Sequence, residues 1–265
     1  MSAASGPALP KPSATILLLR ERGEELEVLM VVRHHQIDFA SGALVFPGGK
    51  VDPHDHAPEV RSRTRGAADW DDGELALRAA AIREAFEESG ILLARKRGGD
   101  TLVPGTELEA LQPFRDRLNA GGTGIGTVLE MADLELACDL LVPFAHWITP
   151  EFMPKRFDTH FFLAEAPEGQ GAVHDGSESV DSVWINPERA LSEAAEGKWT
   201  IIFPTRMNLT KLARAKSVAG AMAAARSASI VPVVPWIEQT EDGPVLCIPE
   251  EAGYGAVREP LDSLR

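Results

Sequence analysis

Three carboxylates share one side of a predicted helix in the first third of the chain. At 100° per residue, Glu84, Glu87 and Glu88 lie on one face. Ile82 and Phe86 point the other way, as core residues would. Like charges three or four residues apart destabilise a helix by about 0.2–0.5 kcal/mol per pair. A hard divalent cation would turn that cost into affinity, so the spacing indicates a metal site, and a solvated acidic face is the alternative.

Length and charge limit the classes of protein to which the chain can belong. Its 265 residues, 44% hydrophobic and 25% charged, suit one large domain or a domain with insertions. The formal net charge of −14 argues against a nucleic-acid-binding surface, because such a surface must attract phosphates. An anionic substrate would therefore be met locally, by a metal ion or by a few arginines.

The cellular location is predicted from the cysteines and the apolar runs. Cys138 and Cys247 are too few and too far apart for a disulfide framework or a zinc site, so a reducing compartment is expected. No apolar run approaches the ~18 residues of a membrane span, and residues 1–13 lack the features of a signal peptide. We therefore predict a cytoplasmic protein with no membrane partner.

Two strands and a glycine turn precede the carboxylates. Apolar runs at 15–20 and 26–33, joined by a polar turn, predict a β-hairpin. A further strand runs into Pro47-Gly48-Gly49, where glycine lets backbone come close to a ligand or an ion. Asp71 is a plausible N-cap for the carboxylate helix, and Gly90 is well placed to end it.

The glycine turn and the helix together resemble a Nudix box. That pattern is Gly, five residues, Glu, seven residues, then Arg-Glu-apolar-any-Glu-Glu-any-Gly-apolar. Gly49 stands at its first position, and residues 83–91 match every fixed position of its second half. The interval is about twenty residues longer than the pattern, and Asp55 stands at the spacing of the first Glu. An insertion there resembles a branch of Nudix hydrolases that includes coenzyme A diphosphatase-like enzymes and bacterial relatives.

The resemblance implies a fold and a division of the chain. The expected class is α+β, a Nudix-type α/β/α sandwich with a mixed β-sheet. A loop insertion within the box is expected at about 52–73, and a helical insertion after it at about 98–141. The Nudix hydrolase domain would span 14–230, between a flexible N-terminus at 1–13 and a C-terminal hairpin and tail at 231–265.

The resemblance also implies a metal-dependent hydrolase that cleaves a diphosphate linkage. The expected cofactor is Mg²⁺ or Mn²⁺. Its ligands would be the carboxylates of Glu84, Glu87 and Glu88 and the backbone carbonyl of Gly49. Arg83, one turn before Glu87, would orient that carboxylate.

The general base is left open between two regions of the chain. One candidate is Glu84, in the box itself. The other lies in the acidic, glycine-rich loop near 170, where Glu178 is the first choice and Asp175 and Asp181 follow it. In the Nudix pattern an acidic residue of this region often supplies a further metal ligand or the base.

The substrate is predicted only as a class. It would be a small phosphoanhydride of the nucleoside-diphosphate type, including dinucleotides and coenzyme A derivatives, with Arg33 and Arg156 as phosphate contacts. Asp38 stands where the coenzyme A enzymes have a second Arg, and an acid reverses the charge offered to a phosphate. A nucleotide-binding sensor that hydrolyses nothing is the alternative function.

The rest of the chain supplies further predicted elements. Arg61, Arg63 and Arg65 in the loop insertion would form a flap over an anionic substrate or a set of solvated charges. The last predicted helix is rich in alanine, and its smooth face would pack in the core or against a second copy in a homodimer. Helices are predicted at 106–118, 128–140 and 206–228, and strands at 157–164 and 180–185.

Overall fold

The computed structural model describes residues 8–33, 42–172 and 179–261. The strands of these segments are β1 (Lys11–Arg22), β2 (Glu25–Arg33), β3 (Leu44–Val45), β4 (Gly48–Lys50), β5 (Ala94–Lys96), β6 (Leu134–Leu136), β7 (Val142–Ile148), β8 (Phe157–Glu165), β9 (Ser179–Ile185), β10 (Pro232–Val233), β11 (Trp236–Thr240), β12 (Gly243–Cys247) and β13 (Arg258–Pro260). The α-helices are α1 (Pro58–Ser62), α2 (Asp72–Ser89), α3 (Gly105–Asn119), α4 (Ile125–Met131), α5 (Pro187–Ala195), α6 (Phe203–Leu212) and α7 (Val218–Ser227).

A mixed sheet forms the centre of the protein. Its order is β10-β7-β8-β1-β2-β3, with β4 also paired to β1 and β9 to β2. The β1–β8 and β7–β10 pairs are parallel, and the other pairs of this sheet are antiparallel. The predicted hairpin is confirmed, because β1 and β2 pair across a turn in which Gly23 has φ +65°. The strands predicted at 157–164 and 180–185 are confirmed as β8 and β9.

Helices cover both faces of this sheet. Alternate residues of β1 point to opposite sides, since side chains alternate along a strand. Ile16 and Leu18 belong to the core beneath α2, whereas Leu17 and Leu19 belong to the core beneath α6 and α7. The α/β/α sandwich with a mixed sheet is therefore confirmed.

The carboxylate helix α2 begins and ends at the predicted residues. The side chain of Asp71 accepts a hydrogen bond from the backbone N–H of Glu74 at 2.8 Å, which caps the first turn. Gly90 has φ +75° and ends the helix in the left-handed conformation that glycine adopts without strain. Ile82 and Phe86 are buried in the core, so the opposite face of α2 is free for the three carboxylates.

Three arginines of the loop insertion form ion pairs that hold it against the rest of the protein. Arg61 pairs with Asp72 at 2.7 Å, Arg63 with Asp133 at 2.8 Å, and Arg65 with Asp100 at 2.8 Å. Arg61 and Arg65 also donate to backbone carbonyls. These contacts favour a structural role for the three arginines over a flap that covers a substrate.

The second helix of the helical insertion is shorter than predicted. The prediction of a helix over 128–140 is wrong, because α4 ends at Met131 and Asp133 has φ +50°. The next residues form β6, which pairs with β5 in a small antiparallel sheet. The alternation Leu-Glu-Leu in β6, with both leucines buried, has the period of a strand.

The alanine-rich segment at 206–228 is two helices instead of one. The first, α6, ends at Leu212, and Ser217 then caps α7 by accepting a hydrogen bond from the Gly220 N–H at 3.1 Å. Ala221 and Met222 of α7 are buried in the core of the chain itself. That burial accounts for the smooth face without a second copy, and the homodimer stays a prediction.

The C-terminal segment packs against the rest of the protein. The predicted hairpin is β11 and β12, and β13 adds a third strand where a loose tail was expected. Tyr254 and Val257 are buried in the core beneath α6 and α7.

At the N-terminal end, β1 already begins at Lys11, inside the predicted flexible segment. The domain boundaries remain predictions. Within the described residues, no helix is both long and apolar enough to cross a membrane.

Candidate active site

The acidic face of α2 lies against the glycine turn at β4. The backbone N–H of Gly48 donates to the Glu88 carboxylate at 3.2 Å. A methyl group added at Gly49 would lie 2.6 Å from the carboxyl carbon of Glu84, closer than non-bonded atoms approach. A side chain at position 49 would therefore displace the Glu84 carboxylate, and the two halves of the sequence motif meet in space.

Arg83 connects four groups of this site. Its Nη1 donates to Glu84 at 2.8 Å and to Glu87 at 2.7 Å, and its Nη2 donates to the carbonyl of Lys50 at 2.9 Å. Asp55 accepts from Nε at 2.9 Å and from Nη2 at 3.0 Å. Burial acts to lower the pKa of Arg83, but Asp55, Glu84 and Glu87 together raise it above its ordinary value. This arginine therefore stays charged and fixes the orientation of two carboxylates.

Asp55 is a member of the site that was not among the predicted site residues. Its side chain is fully buried and holds Arg83 through two parallel hydrogen bonds. It also accepts from the Asp52 backbone N–H at 2.8 Å in a capping box that opens the loop insertion. The available signal in the sequence was its spacing after Gly49, which is that of the first Glu in the Nudix pattern.

The charge of the site favours a bound cation. Glu84 and Glu88 are only 8% and 5% exposed, and with Glu87 and Asp55 they bring four carboxylates together. Arg83 neutralises one of the four. Clustered, buried carboxylates repel one another, and a divalent cation between them would offset that repulsion. A purely oxygen donor set is the one that Mg²⁺ and Mn²⁺ prefer, so the residues present fit such an ion.

Arg115 of α3 holds the end of the carboxylate helix from the helical insertion. Its Nε and Nη2 donate to the backbone carbonyl of Glu87 at 3.1 and 3.0 Å. The side chain is buried, at 2% exposure. No sequence pattern predicted this contact, because Arg115 belongs to no recognised motif.

The site opens into a groove of about 1450 Å³ whose lining includes two sets of residues, one charged and one aromatic. We call the first the charged end, formed by Gly48, Gly49, Arg83, Glu84, Glu87 and Glu88. The second is the apolar end, lined by Trp147, Phe152, Phe157, Phe161 and Phe203.

A buried hydrogen-bond chain supports the apolar end. Trp147 Nε1 donates to the hydroxyl of Tyr254 at 2.9 Å, and that hydroxyl donates to Asn208 Oδ1 at 2.7 Å. The Trp147 and Tyr254 rings meet edge to face, with centroids 5.4 Å apart. Burial raises the pKa of Tyr254, although the hydrogen bond from Trp147 acts in the opposite direction. The C-terminal segment thereby fixes a wall of the groove.

Of the other predicted site residues, the structure describes only some. Arg156 lines the groove, and its Nε and Nη1 donate to the carbonyls of Thr149 and Ala8, both at 2.9 Å. Asp181 is exposed on β9 and is not part of the groove lining among the described residues. Outside the described residues lie Asp38, Asp175 and Glu178, together with the side chain of Arg33.

Comparison with known families gives a match over more than half of the chain. The family model described as the NUDT19 Nudix domain matches residues 61–212. The "Putative nudix hydrolase 7" of Caenorhabditis elegans is 30% identical over 189 residues, which are 71% of this chain and 56% of that protein. The human "Acyl-coenzyme A diphosphatase NUDT19" is 29% identical over 206 residues, covering 63% of this chain and 55% of that protein.

A solved structure agrees with these sequence matches. A Nudix hydrolase from Alicyclobacillus acidocaldarius superposes with a TM-score of 0.65 and 29% identity, covering 81% of this chain and 96% of that one. The chain spans 55 to 60% of the length of the curated relatives described.

Proposed function

Because the chain belongs to the Nudix hydrolase family represented by the NUDT19 Nudix domain, we propose that it hydrolyses a diphosphate linkage with the help of Mg²⁺ or Mn²⁺. The substrate class proposed is a nucleoside diphosphate joined to another moiety. One observation carries this proposal: Glu84 and Glu88 of α2 lie against the Gly48-Gly49 turn, and Arg83 holds Glu84 and Glu87 in place.

The ionisable side chains of the charged end and the carbonyl of Gly49 have roles in the proposed reaction. Glu84, Glu87, Glu88 and that carbonyl would hold the cation. When bound, that cation neutralises phosphate charge and makes water a better nucleophile. Arg83 keeps Glu84 and Glu87 oriented, so the carboxylates need not reorganise when substrate arrives.

Water attacks phosphorus and the anhydride P–O bond breaks, which releases two phosphate-containing products. Glu84 or Glu178 accepts the proton of the attacking water. Arg156 lies in the groove and would supply positive charge to a phosphate, and Arg33 stays a predicted phosphate contact. Binding of the diphosphate between Arg156 and the carboxylates of α2 would place the scissile bond at the charged end.

The apolar end favours a substrate with an apolar part. A second sugar or nucleotide would gain little binding free energy from these aromatic walls beyond stacking. An acyl chain buried there would gain about 0.8 kcal/mol per methylene. Relatives from human, Xenopus laevis and Gallus gallus carry the name acyl-coenzyme A diphosphatase. The charge of Asp38 would weaken coenzyme A and acyl-coenzyme A alike, because both carry the same phosphates, so the apolar end is what would distinguish them. We therefore place acyl-coenzyme A ahead of the free thiol.

A substrate panel tests this function. Nucleoside diphosphate sugars, dinucleotides, coenzyme A and acyl-coenzyme A of several chain lengths are each incubated with Mg²⁺ or Mn²⁺, and product release is followed. We expect hydrolysis that requires the cation and is fastest with acyl-coenzyme A. Tight binding with no product from any compound would instead establish a nucleotide-binding sensor.

Variants at an exposed aromatic residue separate the substrate from the chemistry. Phe152, 56% exposed, lines the apolar end, so Phe152→Ala should raise KM for long acyl chains and leave that for coenzyme A unchanged. Met131→Ala is the matched control, because Met131 is 59% exposed and is not part of the described groove lining. Equal KM changes for both substrates would exclude an acyl site there.

A further inference from the structure

Two histidines and an aspartate meet on strands β7 and β8, away from the carboxylates of α2. His146 and His160 are direct partners in the antiparallel register of the two strands. Asp158 lies two residues before His160, so its side chain is on the same face of β8. The side chain of His146 is 15% exposed and those of Asp158 and His160 are about one third exposed, so a small ion could reach them from solvent.

The three side chains point their donor atoms at one place. His146 Nε2 is hydrogen-bonded to Asp158 Oδ1, and His160 Nε2 lies 3.6 Å from that oxygen, beyond hydrogen-bond distance. The two imidazole rings are stacked, with centroids 4.0 Å apart and an interplanar angle of 25°. One ligand atom from each residue lies within 4.8 Å of the other two.

We propose that His146, Asp158 and His160 form a site for a divalent transition-metal ion, with Zn²⁺ as the best match. Metal–ligand distances of 2.0–2.2 Å in a tetrahedral zinc site separate neighbouring ligand atoms by about 3.3 Å. The 3.6 Å between His160 Nε2 and Asp158 Oδ1 is close to that value. Two imidazole nitrogens and one carboxylate oxygen suit Zn²⁺ and Co²⁺ better than the harder Mg²⁺.

Groups of both charge signs surround His160. Burial, followed by the charge of His146, lowers the pKa of His160 to about 4, although Asp158 acts in the opposite direction and Arg78 in the same one. Arg78 is the cation that faces His160, and Glu74 neutralises it through an ion pair of 2.8 Å.

The site would act as a structural clamp behind the groove. On β8, Phe157, Thr159 and Phe161 alternate with the proposed ligands and line the groove from the opposite face. On β7, Trp147 follows His146 and likewise lines the groove. A metal that joins β7 to β8 would therefore hold the apolar end in register.

Metal binding to the full chain tests the proposal. The double variant Glu87→Gln/Glu88→Gln first removes ligands of the other cation site. Titration calorimetry with Zn²⁺ and with Co²⁺ is then expected to show one site that is lost when His146→Gln/His160→Gln is added. His54→Gln/His56→Gln is the matched control, because these two histidines are exposed and lie outside the cluster, and it should retain that site.

Two results would overturn the proposal. One is a Zn²⁺ stoichiometry that is the same with and without His146 and His160. The other comes from a measurement that needs no histidine variant, in case that variant fails to fold. With Co²⁺ or Zn²⁺ added to Glu87→Gln/Glu88→Gln, the ring resonances of His146 and His160 should shift together at one equivalent in nuclear magnetic resonance. Unchanged resonances would exclude the site, whatever the hydrolase assay shows.

Discussion

The charged end of the groove and its apolar end are built in different ways. The charged end is made by one helix and one turn, and its carboxylates are spaced by the helical repeat within residues 84–88. The apolar end takes Trp147 from β7, Phe157 and Phe161 from β8 and Phe203 from α6, which are separated along the chain.

The difference shows what each end requires of the fold. Buried carboxylates need opposite charge at fixed positions, so Arg83, Asp55 and Arg115 hold the charged end through hydrogen bonds. Apolar walls need only area and shape. Among the aromatic residues of the apolar end, the buried N–H of Trp147 needs a hydrogen-bond acceptor, and the hydroxyl of Tyr254 provides it. Changes at the charged end should therefore reduce turnover or stability, and changes at the apolar end should act more weakly.

The largest effect is expected from neutralising a carboxylate of α2. Glu87→Gln or Glu88→Gln should lower kcat by about 10³-fold or more, since a metal ion contributes several kcal/mol to transition-state stabilisation. The circular dichroism spectrum should not change, because the side chains differ by one atom. The exposed Glu130→Gln is the control. Undiminished hydrolysis by either variant would contradict the metal assignment.

Removing Asp55 should destabilise the charged end next most strongly. Asp55→Ala takes a buried partner from Arg83 and should lower the free energy of unfolding by about 3–5 kcal/mol. Asp100→Ala removes an exposed partner of Arg65 and should cost less than about 1 kcal/mol. Urea unfolding compares the two variants. Equal losses of unfolding free energy in the two variants would contradict the argument that the buried Asp55–Arg83 pair stabilises the protein more than the exposed Asp100–Arg65 pair does.

Arg115→Met tests the support that the helical insertion gives to the charged end. It removes two hydrogen bonds to the carbonyl of Glu87. The Mn²⁺ concentration for half-maximal activity should rise by about 10-fold, because loss of a group that orients a metal ligand weakens metal binding. Arg117→Met changes an exposed residue of the same helix and is the control. A lower kcat with an unchanged Mn²⁺ requirement would argue against this positioning role.

The smallest effect is expected on the free energy of unfolding above pH 10, where the tyrosine that supports the apolar end ionises. The pKa of Tyr254 is raised above its ordinary value of 10.0, so above that pH the unfolded chain loses the phenol proton before the folded one does. The free energy of unfolding should therefore fall as pH rises through this range, and Tyr254→Phe should remove that part of the decline. Tyr254 is the only tyrosine of the sequence, so phenolate absorbance reports it directly. Ionisation of the folded protein at an ordinary pKa would contradict the burial argument.

Local signals predicted the part of the fold on which the charged end depends. Asp71 and Gly90 bound α2 as expected, because capping and positive φ are decided within one turn of the chain. The helix predicted over 128–140 failed for a nonlocal reason: β6 gains its hydrogen bonds from β5, about forty residues earlier. The predicted roles of Arg33 and Glu178 remain predictions, since the side chain of Arg33 and the whole of Glu178 lie outside the described residues.

The sequence alone determined the acidic face of α2, because the helical period is a property of a short segment, and the resemblance to a Nudix box predicted that Gly49 belongs with it. Only the tertiary structure decided that Arg115 holds the Glu87 carbonyl, 28 residues away, and that Tyr254 supports Trp147, 107 residues away. The same holds for His146 and His160, which meet because β7 and β8 pair in one register. Contacts between distant residues depend on the order and register of the sheet, and no local pattern encodes them.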